Sequence, residues 1–336
     1  VTRYQGEELP ERPRIAIVAN DAIGNFVVST PLLQTFRQRF PDARIDYFGG
    51  TRTRELAAAS DLIDDDIPLH GIEPRAAIEA VLARPPYDLI FNQEQGTTAK
   101  YIAATLGQRV AGPCLDSEGR GDLPWQDDEM GRLWADRGWV AADLPSRYPF
   151  LRTGWIAEIF CRLAYWGGPV PMYRVPTADP GPVPDALVAM AASLPDKLWT
   201  ADAWRATLRG LRDRGLTIGL LGAPRTTQGK YWQGGDAEDV CVREGLVVDL
   251  RGAFTLPQVA GALAGARLVL TLDNGILHLA CAGPAPVVGL FRRGIHRLWA
   301  PPRDRLEVLT PPDGEPVSAI PAAEATAAIS RILDGA

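Results

Sequence analysis

Two doubly wound α/β domains are what this 336-residue sequence predicts, and three observations predict them. Short β-branched runs alternate with helix-length amphipathic segments, the pattern of a parallel sheet wrapped by helices. The length exceeds one typical core and suits two domains of about 150 residues each. Between the halves, residues 167–185 carry Pro169, Pro171, Pro176, Pro180, Pro182 and Pro184, too many for a helix or a central strand.

Taken in order, strands are expected at 15–18 (IAIV), 44–48 (RIDYF), 88–91 (DLIF) and 109–111 (RVA), with helices between them, one running from Ser29 to Phe40. After the proline-rich linker, strands are expected at 186–190, 216–221, 246–249, 267–270 and 287–290. Residues 321–334 read as an alanine-rich amphipathic helix. The expected division is 1–168, a linker at 169–185, a second domain at 186–318, and a closing helix within 319–336. Residues 114–151 break the alternation with Gly, Asp, Arg and the tryptophans Trp125, Trp134 and Trp139.

Composition excludes several classes. A hydrophobic fraction of 46% with 23% charged residues is that of a soluble globular chain. A net charge of −6 leaves no basic footprint for nucleic acid. No apolar run approaches the roughly 20 residues that span a bilayer, and the first residues lack the basic-then-apolar order of a signal peptide, so a cytoplasmic location is expected. Cys114, Cys161, Cys241 and Cys281 form no Cys-x-x-Cys pair and are read as structural. With His70, His278 and His296 as the histidines, a multi-histidine metal site is not expected, and a carboxylate-only magnesium site stays open.

The most informative stretch is 271–280 (TLDNGILHLA). An apolar strand ends at Asp273, Asn274 and Gly275 and passes into a helix carrying His278. The free N–H groups of a helix's first turn, with the partial positive charge of its dipole, suit a diphosphate, and His278 lies one turn in.

This stretch resembles the Asp-Thr-Gly-x-x-His-Leu signature of bacterial glycosyltransferase family 9, the ADP-heptose:lipopolysaccharide heptosyltransferases, with Asn274 in place of the usual Thr. The flanking segments 250–266 and 286–291 resemble the family's preceding helix and following strand. Residues 14–33 (RIAIVANDAIGNFVVSTPLL) resemble its opening strand, Gly-Asp turn and helix starting near Thr-Pro. The resemblance implies a GT-B fold, two Rossmann-like domains facing across a cleft, with the closing helix returning to the first domain. Packing of the closing helix on its own domain explains the same amphipathic pattern. The resemblance further implies an ADP-linked sugar donor on the second domain, a hydroxyl acceptor on the first, inversion at the anomeric carbon and no obligatory cofactor.

Carried over residue by residue, the donor site comprises Ser193, Lys197, Thr226, Asp273, Asn274, Gly275 and His278. Lys197 aligns with the family's phosphate-contacting lysine, and Thr200 replaces a proline and supplies an N-cap. Lys230, although also two residues before a tryptophan, comes one unit too late. The loop after Gly222-Ala-Pro lacks the family's acidic ribose contact, leaving Thr226 or Gln228 in its place.

The family's general base is an Asp that this chain replaces by Asn25, and an amide cannot take a proton near pH 7. Three readings are open. Asp21 in the same loop takes over; Asp116, Asp127 or Glu94 does; or the chain binds a nucleotide sugar without turnover. Asn25, Glu94, Asp116 and Trp125 are the candidate acceptor contacts, the last because residues 114–151 read either as a self-anchored surface excursion or as an acceptor lid whose indoles stack on sugar. The leading expectation is transfer of a heptose or related sugar to a hydroxyl acceptor, for which a specialised small molecule fits at least as well as lipopolysaccharide core. An impaired binding protein or a sugar-nucleotide epimerase are the alternatives. A nicotinamide enzyme is disfavoured because no Gly-x-Gly-x-x-Gly follows the first strand.

Overall fold

A computed structural model describes residues 1–224, 226–227 and 235–335. The chain divides into two compact units, Val1–Arg174 and Val175–Ala336. The break falls inside the proline-rich stretch because its two ends are tied to different units. Gln34 Nε2 donates to Met172 O at 2.8 Å and Arg174 N to Thr30 Oγ1 at 3.1 Å, both within the first unit. On the other side, Ala178 N donates to Pro257 O at 2.9 Å.

The first unit carries a parallel sheet of β1 (Thr2–Arg3), β2 (Arg14–Val18), β3 (Arg44–Gly50), β4 (Asp65–His70), β5 (Leu89–Asn92) and β6 (Arg109–Ala111). Its order is β1-β6-β5-β2-β3-β4. The chain therefore builds outward from β2 to β4, crosses back to β5 beside β2, and continues to β6, outside which β1 forms the opposite edge. The place where the direction reverses, between the carboxyl ends of β2 and β5, is where doubly wound sheets take ligands.

Two features of this unit depart from the sequence expectation. The first long helix spans Ile23–Arg39 rather than starting at Ser29. Pro31 sits inside it and cannot donate to Val27 O, but the Thr30 hydroxyl donates to that carbonyl at 2.7 Å. Asn25 is thereby placed in the first turn of a helix. The strands β1 and β4 were not expected. Both lie at sheet edges, where charged residues and Pro68 are tolerated and an apolar run is not required.

Residues 114–151 fold around an aromatic cluster. Trp134 is stacked parallel to Trp125 with centroids 5.4 Å apart and lies 6.0 Å from Phe91 of β5. Trp139 contacts Trp134 and Phe160, and its indole N–H donates to Leu133 O at 2.8 Å. The segment is held by its own hydrophobic anchor.

The second unit repeats the plan with β7 (Ala186–Ala189), β8 (Ile218–Leu220), β9 (Val248–Asp249), β10 (Leu268–Leu272), β11 (Val287–Leu290) and β12 (Leu306–Leu309). The parallel sheet runs β12-β11-β10-β7-β8-β9 and reverses between β7 and β10. Its core gathers Val188, Leu220, Leu270, Val288 and the fully buried Trp204. The helix Ala322–Asp334 buries Ala325, Ala328 and Ile329 in that same core. Its amphipathic pattern is thus used within the second unit, and no return to the first domain is needed to explain it. All four cysteines are buried and free. Among the described residues, no helix is long and apolar enough to cross a membrane.

Candidate active site

In the second unit, the reversal of strand order brings two loops together. After β7 the chain reaches a short 3₁₀ turn, Pro195–Lys197, and then the helix Ala201–Asp213, whose N-cap Thr200 accepts from Ala203 N at 3.1 Å. After β10 come Asp273, Asn274 and the helix Gly275–Cys281. Lys197 Nζ lies 2.8 Å from Asp273 Oδ2 and donates to Asp273 O at 3.2 Å. Asn274 Nδ2 donates to Ala191 O at 2.9 Å, pinning the β10 loop to the β7 loop.

The ammonium has three donors; one is directed at Asp273 O, while Asp273 Oδ2 lies within ion-pair distance but outside hydrogen-bond geometry, so the ammonium keeps N–H capacity for a ligand. Asp273 is 5% exposed and holds the lysine's charge at the strand ends. Arg292, beyond β11, donates at 2.9 Å to Oδ2 of Asp196, the residue before Lys197. The sequence reading missed Arg292. Its signal was weak, an arginine directly after the strand 287–290.

Asn274 and His278 behave differently from expectation. Asn274 is the N-cap, and its Oδ1 accepts from both Ile276 N at 2.9 Å and Leu277 N at 3.3 Å. Two of the N–H groups expected to face an anion are therefore already satisfied, and Gly275 N–H is the first-turn donor that Asn274 does not take. His278 is 3% exposed and lies edge-on to Trp299, centroids 5.8 Å apart. Burial holds its pKa down at about 4, against the opposing pull of Asp273. It is neutral at pH 7 and brings no positive charge.

Ser193 is exposed in the loop after β7, and Thr226 is exposed beyond β8. Gln228 and Lys230 lie outside the described residues.

In the first unit, the reversal places the loop after β2 beside the loop after β5. Asn20 Nδ2 donates to Glu94 Oε1 at 2.8 Å, and Asn20 Oδ1 accepts from Ala22 N at 2.8 Å. Ser29 Oγ lies 2.8 Å from Gln93 Oε1 and 2.7 Å from Asn25 O, and its single proton serves one of the two. Glu94 N donates to the buried Asn92 Oδ1 at 2.9 Å, while Asn92 Nδ2 donates to Glu94 O at 3.0 Å. The loop carrying Glu94 is thus fixed by side chains from the loop after β2, from β5 and from the first helix.

Asp21 packs against Gly50, where a Cβ would meet the Asp21 Cβ at 2.3 Å. Its Oδ1 lies 3.8 Å from Arg52 NH1, which compensates its charge. Burial pushes the Glu94 carboxyl above the ordinary carboxylate range, opposed by His70 and by the Asn20 hydrogen bond, and aided by Asp21.

Two of the expected acceptor contacts have other employment. Asp116 Oδ1 accepts from Glu118 N and Arg120 N, both at 3.0 Å, and so staples its own turn. Trp125 is stacked on Trp134 and covered by the Arg3 guanidinium, 4.1 Å from its ring centroid. Its π surface is spent internally, so it cannot serve as an open platform for a sugar.

Two doubly wound units, with a buried lysine–aspartate pair at the strand reversal of the second, define a GT-B protein. Residues 175–316, within the second unit, match the family described as Glycosyltransferase family 9 (heptosyltransferase). It is 22% identical to lipopolysaccharide heptosyltransferase 3 of Escherichia coli, over 92% of this chain and 96% of that protein. Among solved structures, a family 9 glycosyl transferase from Veillonella parvula superposes with a TM-score of 0.71 at 14% identity, covering 98% of this chain and 99% of the other. The E. coli heptosyltransferase WaaC, solved with ADP, gives 0.67 at 18% identity, covering 95% and 99%.

Proposed function

We propose that the protein is an inverting glycosyltransferase that moves a heptose or related sugar from an ADP-linked donor to a hydroxyl acceptor. The observation that carries the reading is the Lys197–Asp273 pair at the strand reversal of the second sheet, inside the stretch that matches the family. One relative of the same fold was solved with ADP, which supports an adenine nucleotide.

In this reading Lys197 turns an N–H toward the donor's diphosphate, joined by Gly275 N–H. Asp273 prevents the lysine from swinging away. Such preset donors stabilise the diphosphate as it departs, when its charge is greatest, without reorganisation. In the same reading Ser193 and Thr226, exposed on the loops after β7 and β8, serve as further donor contacts. Asn25 orients the acceptor by hydrogen bonding and takes no proton.

Calorimetric titration with ADP, UDP, GDP and dTDP, with EDTA or with magnesium, tests the donor side. Selective binding of ADP in both buffers is the expected result. Binding of no nucleotide overturns the proposal, and ADP binding with no hydrolysis of ADP-heptose favours a protein that retains the donor site without turnover.

A further inference from the structure

With Asn25 unable to act as a base, a proton acceptor must be found elsewhere on the first unit. We infer that Glu94 is the general base of the transfer reaction, held in place by Asn20 and Asn92. The inference rests on the glycosyltransferase reading and names the residue that completes it.

Position comes first. Glu94 follows β5 directly, and Asp21 and Asn25 follow β2, so all three stand at the one point where this sheet reverses its strand order. Ligands of doubly wound sheets sit there.

Rigidity comes second. Asn92 grips the backbone of Glu94 from both sides, through Glu94 N and Glu94 O, and is itself anchored by a 2.7 Å bond from its Nδ2 to Pro113 O. Asn20 holds the carboxylate through its side-chain amide, which donates to Oε1, and through its backbone N–H, and the carboxylate's further lone pairs can accept from a hydroxyl. A fixed carboxylate with lone pairs to spare suits proton abstraction from a bound acceptor.

Electrostatics separates the two candidates. Asp21 Oδ1 lies 3.8 Å from Arg52 NH1, so its charge already faces a cation. Glu94 has no arginine or lysine partner among its described contacts. The charged groups around it are Asp21 from the β2 loop, with its Arg52, and His70 from the end of β4. Burial raises its proton affinity, which brings a base closer to the operating pH.

The step balances. The acceptor O–H proton passes to the Glu94 carboxylate as the acceptor oxygen bonds the anomeric carbon. The bond from that carbon to the diphosphate oxygen breaks, and its electron pair leaves with the nucleoside diphosphate.

The test uses the full chain with ADP-heptose and water as the acceptor probe. Glu94→Gln, which keeps the shape and can still accept from Asn20, should lower kcat by about 10²-fold or more while leaving ADP affinity within twofold. In the unmodified protein kcat should fall as pH drops through the Glu94 titration, because the base must be ionised. That acid limb should vanish in Glu94→Gln and persist in Asp21→Asn. Wild-type hydrolysis with Glu94→Gln retaining kcat within threefold, or losing rate with the acid limb intact, overturns the assignment of Glu94 alone. ADP binding without any wild-type hydrolysis overturns the transferase reading and this inference with it.

Discussion

The two units solve the same topological problem with opposite chemistry. In each, a parallel six-stranded sheet reverses direction once, and the loops after the two strands at that point are tied by an asparagine. Asn20 spans from the β2 loop to Glu94 after β5; Asn274 spans from the β10 loop to Ala191 after β7. In the second unit the tied loops present a cation balanced by Asp273, with Arg292 bonded to the neighbouring Asp196. In the first they present carboxylates and amides. The scaffold fixes where a ligand would meet each unit, and the proposal assigns the leaving anion to the loops of the second unit and the proton to those of the first.

The sharpest way to break this division is to show that one unit's residues perform the other's task. Lys197→Ala should weaken ADP binding by about 10- to 100-fold, the scale of a lost charge-assisted phosphate contact. The acid limb assigned to Glu94 should survive in whatever turnover remains. Because burial keeps His278 neutral above pH of about 4, ADP affinity should also show no step attributable to that imidazole between pH 6 and 8. Unchanged ADP affinity in Lys197→Ala would remove the second unit's claim to the diphosphate.

How much of this was legible in the sequence follows the range of the interactions. The core strands β2, β5, β7, β10 and β11 announce themselves because each is an apolar run buried on both faces. The edge strands do not. β4 reads Asp-Asp-Ile-Pro-Leu-His, and β12 is half-buried with Glu307 in its middle. The helix start at Ile23 was hidden by Gly24 and Pro31, residues that end helices unless a hydroxyl such as Thr30 repairs the ladder.

Lys197, Asp273 and Asn274 were found through local motifs. Their pairing was not, because 76 residues separate Lys197 from Asp273, and the same holds for Asn20 and Glu94 at 74. The indole of Trp125 was misread for a related reason. Its stacking on Trp134 and Arg3 is a tertiary fact with no local signature.

A smaller effect sharpens the comparison from the stability side. Asp66 on the edge strand β4 has both carboxylate oxygens buried without a hydrogen-bond partner among the described residues, and Arg54 is 4.0 Å away. Burial pushes its pKa from 3.8 up to about 6, against the pull of Arg54. A group whose folded pKa is raised binds more protons folded than unfolded, so stability is fully present below pH 3.8 and is lost as pH rises toward 6. The displacement corresponds to roughly 3 kcal/mol at most, and to about 1–2 kcal/mol once solvent at the sheet edge is allowed for. Asp66→Asn should therefore raise the urea midpoint of the first unit at pH 7.5 and lose that advantage near pH 4. A midpoint that does not respond to pH would mean the carboxylate is solvated or paired in solution.

The smallest effects concern the caps, and they ask whether the tie between the β7 and β10 loops matters more than ordinary helix capping. Thr200 caps one helix through Ala203 N alone. Asn274 caps the other through two N–H groups and also reaches across to Ala191 O. Loss of a simple cap costs about 1 kcal/mol, and a side-chain hydrogen bond contributes about another 1 kcal/mol. Thr200→Ala should thus cost about 1 kcal/mol in chemical denaturation and Asn274→Ala about 2 kcal/mol. Asn274→Asp separates the two roles, since a carboxylate can accept from Ile276 and Leu277 but cannot donate to Ala191. It also places a negative charge beside Asp273. If the cross-strand tie positions the donor site, Asn274→Asp should lose ADP affinity while keeping most of the helix's stability, whereas equal losses in both would reduce Asn274 to a cap.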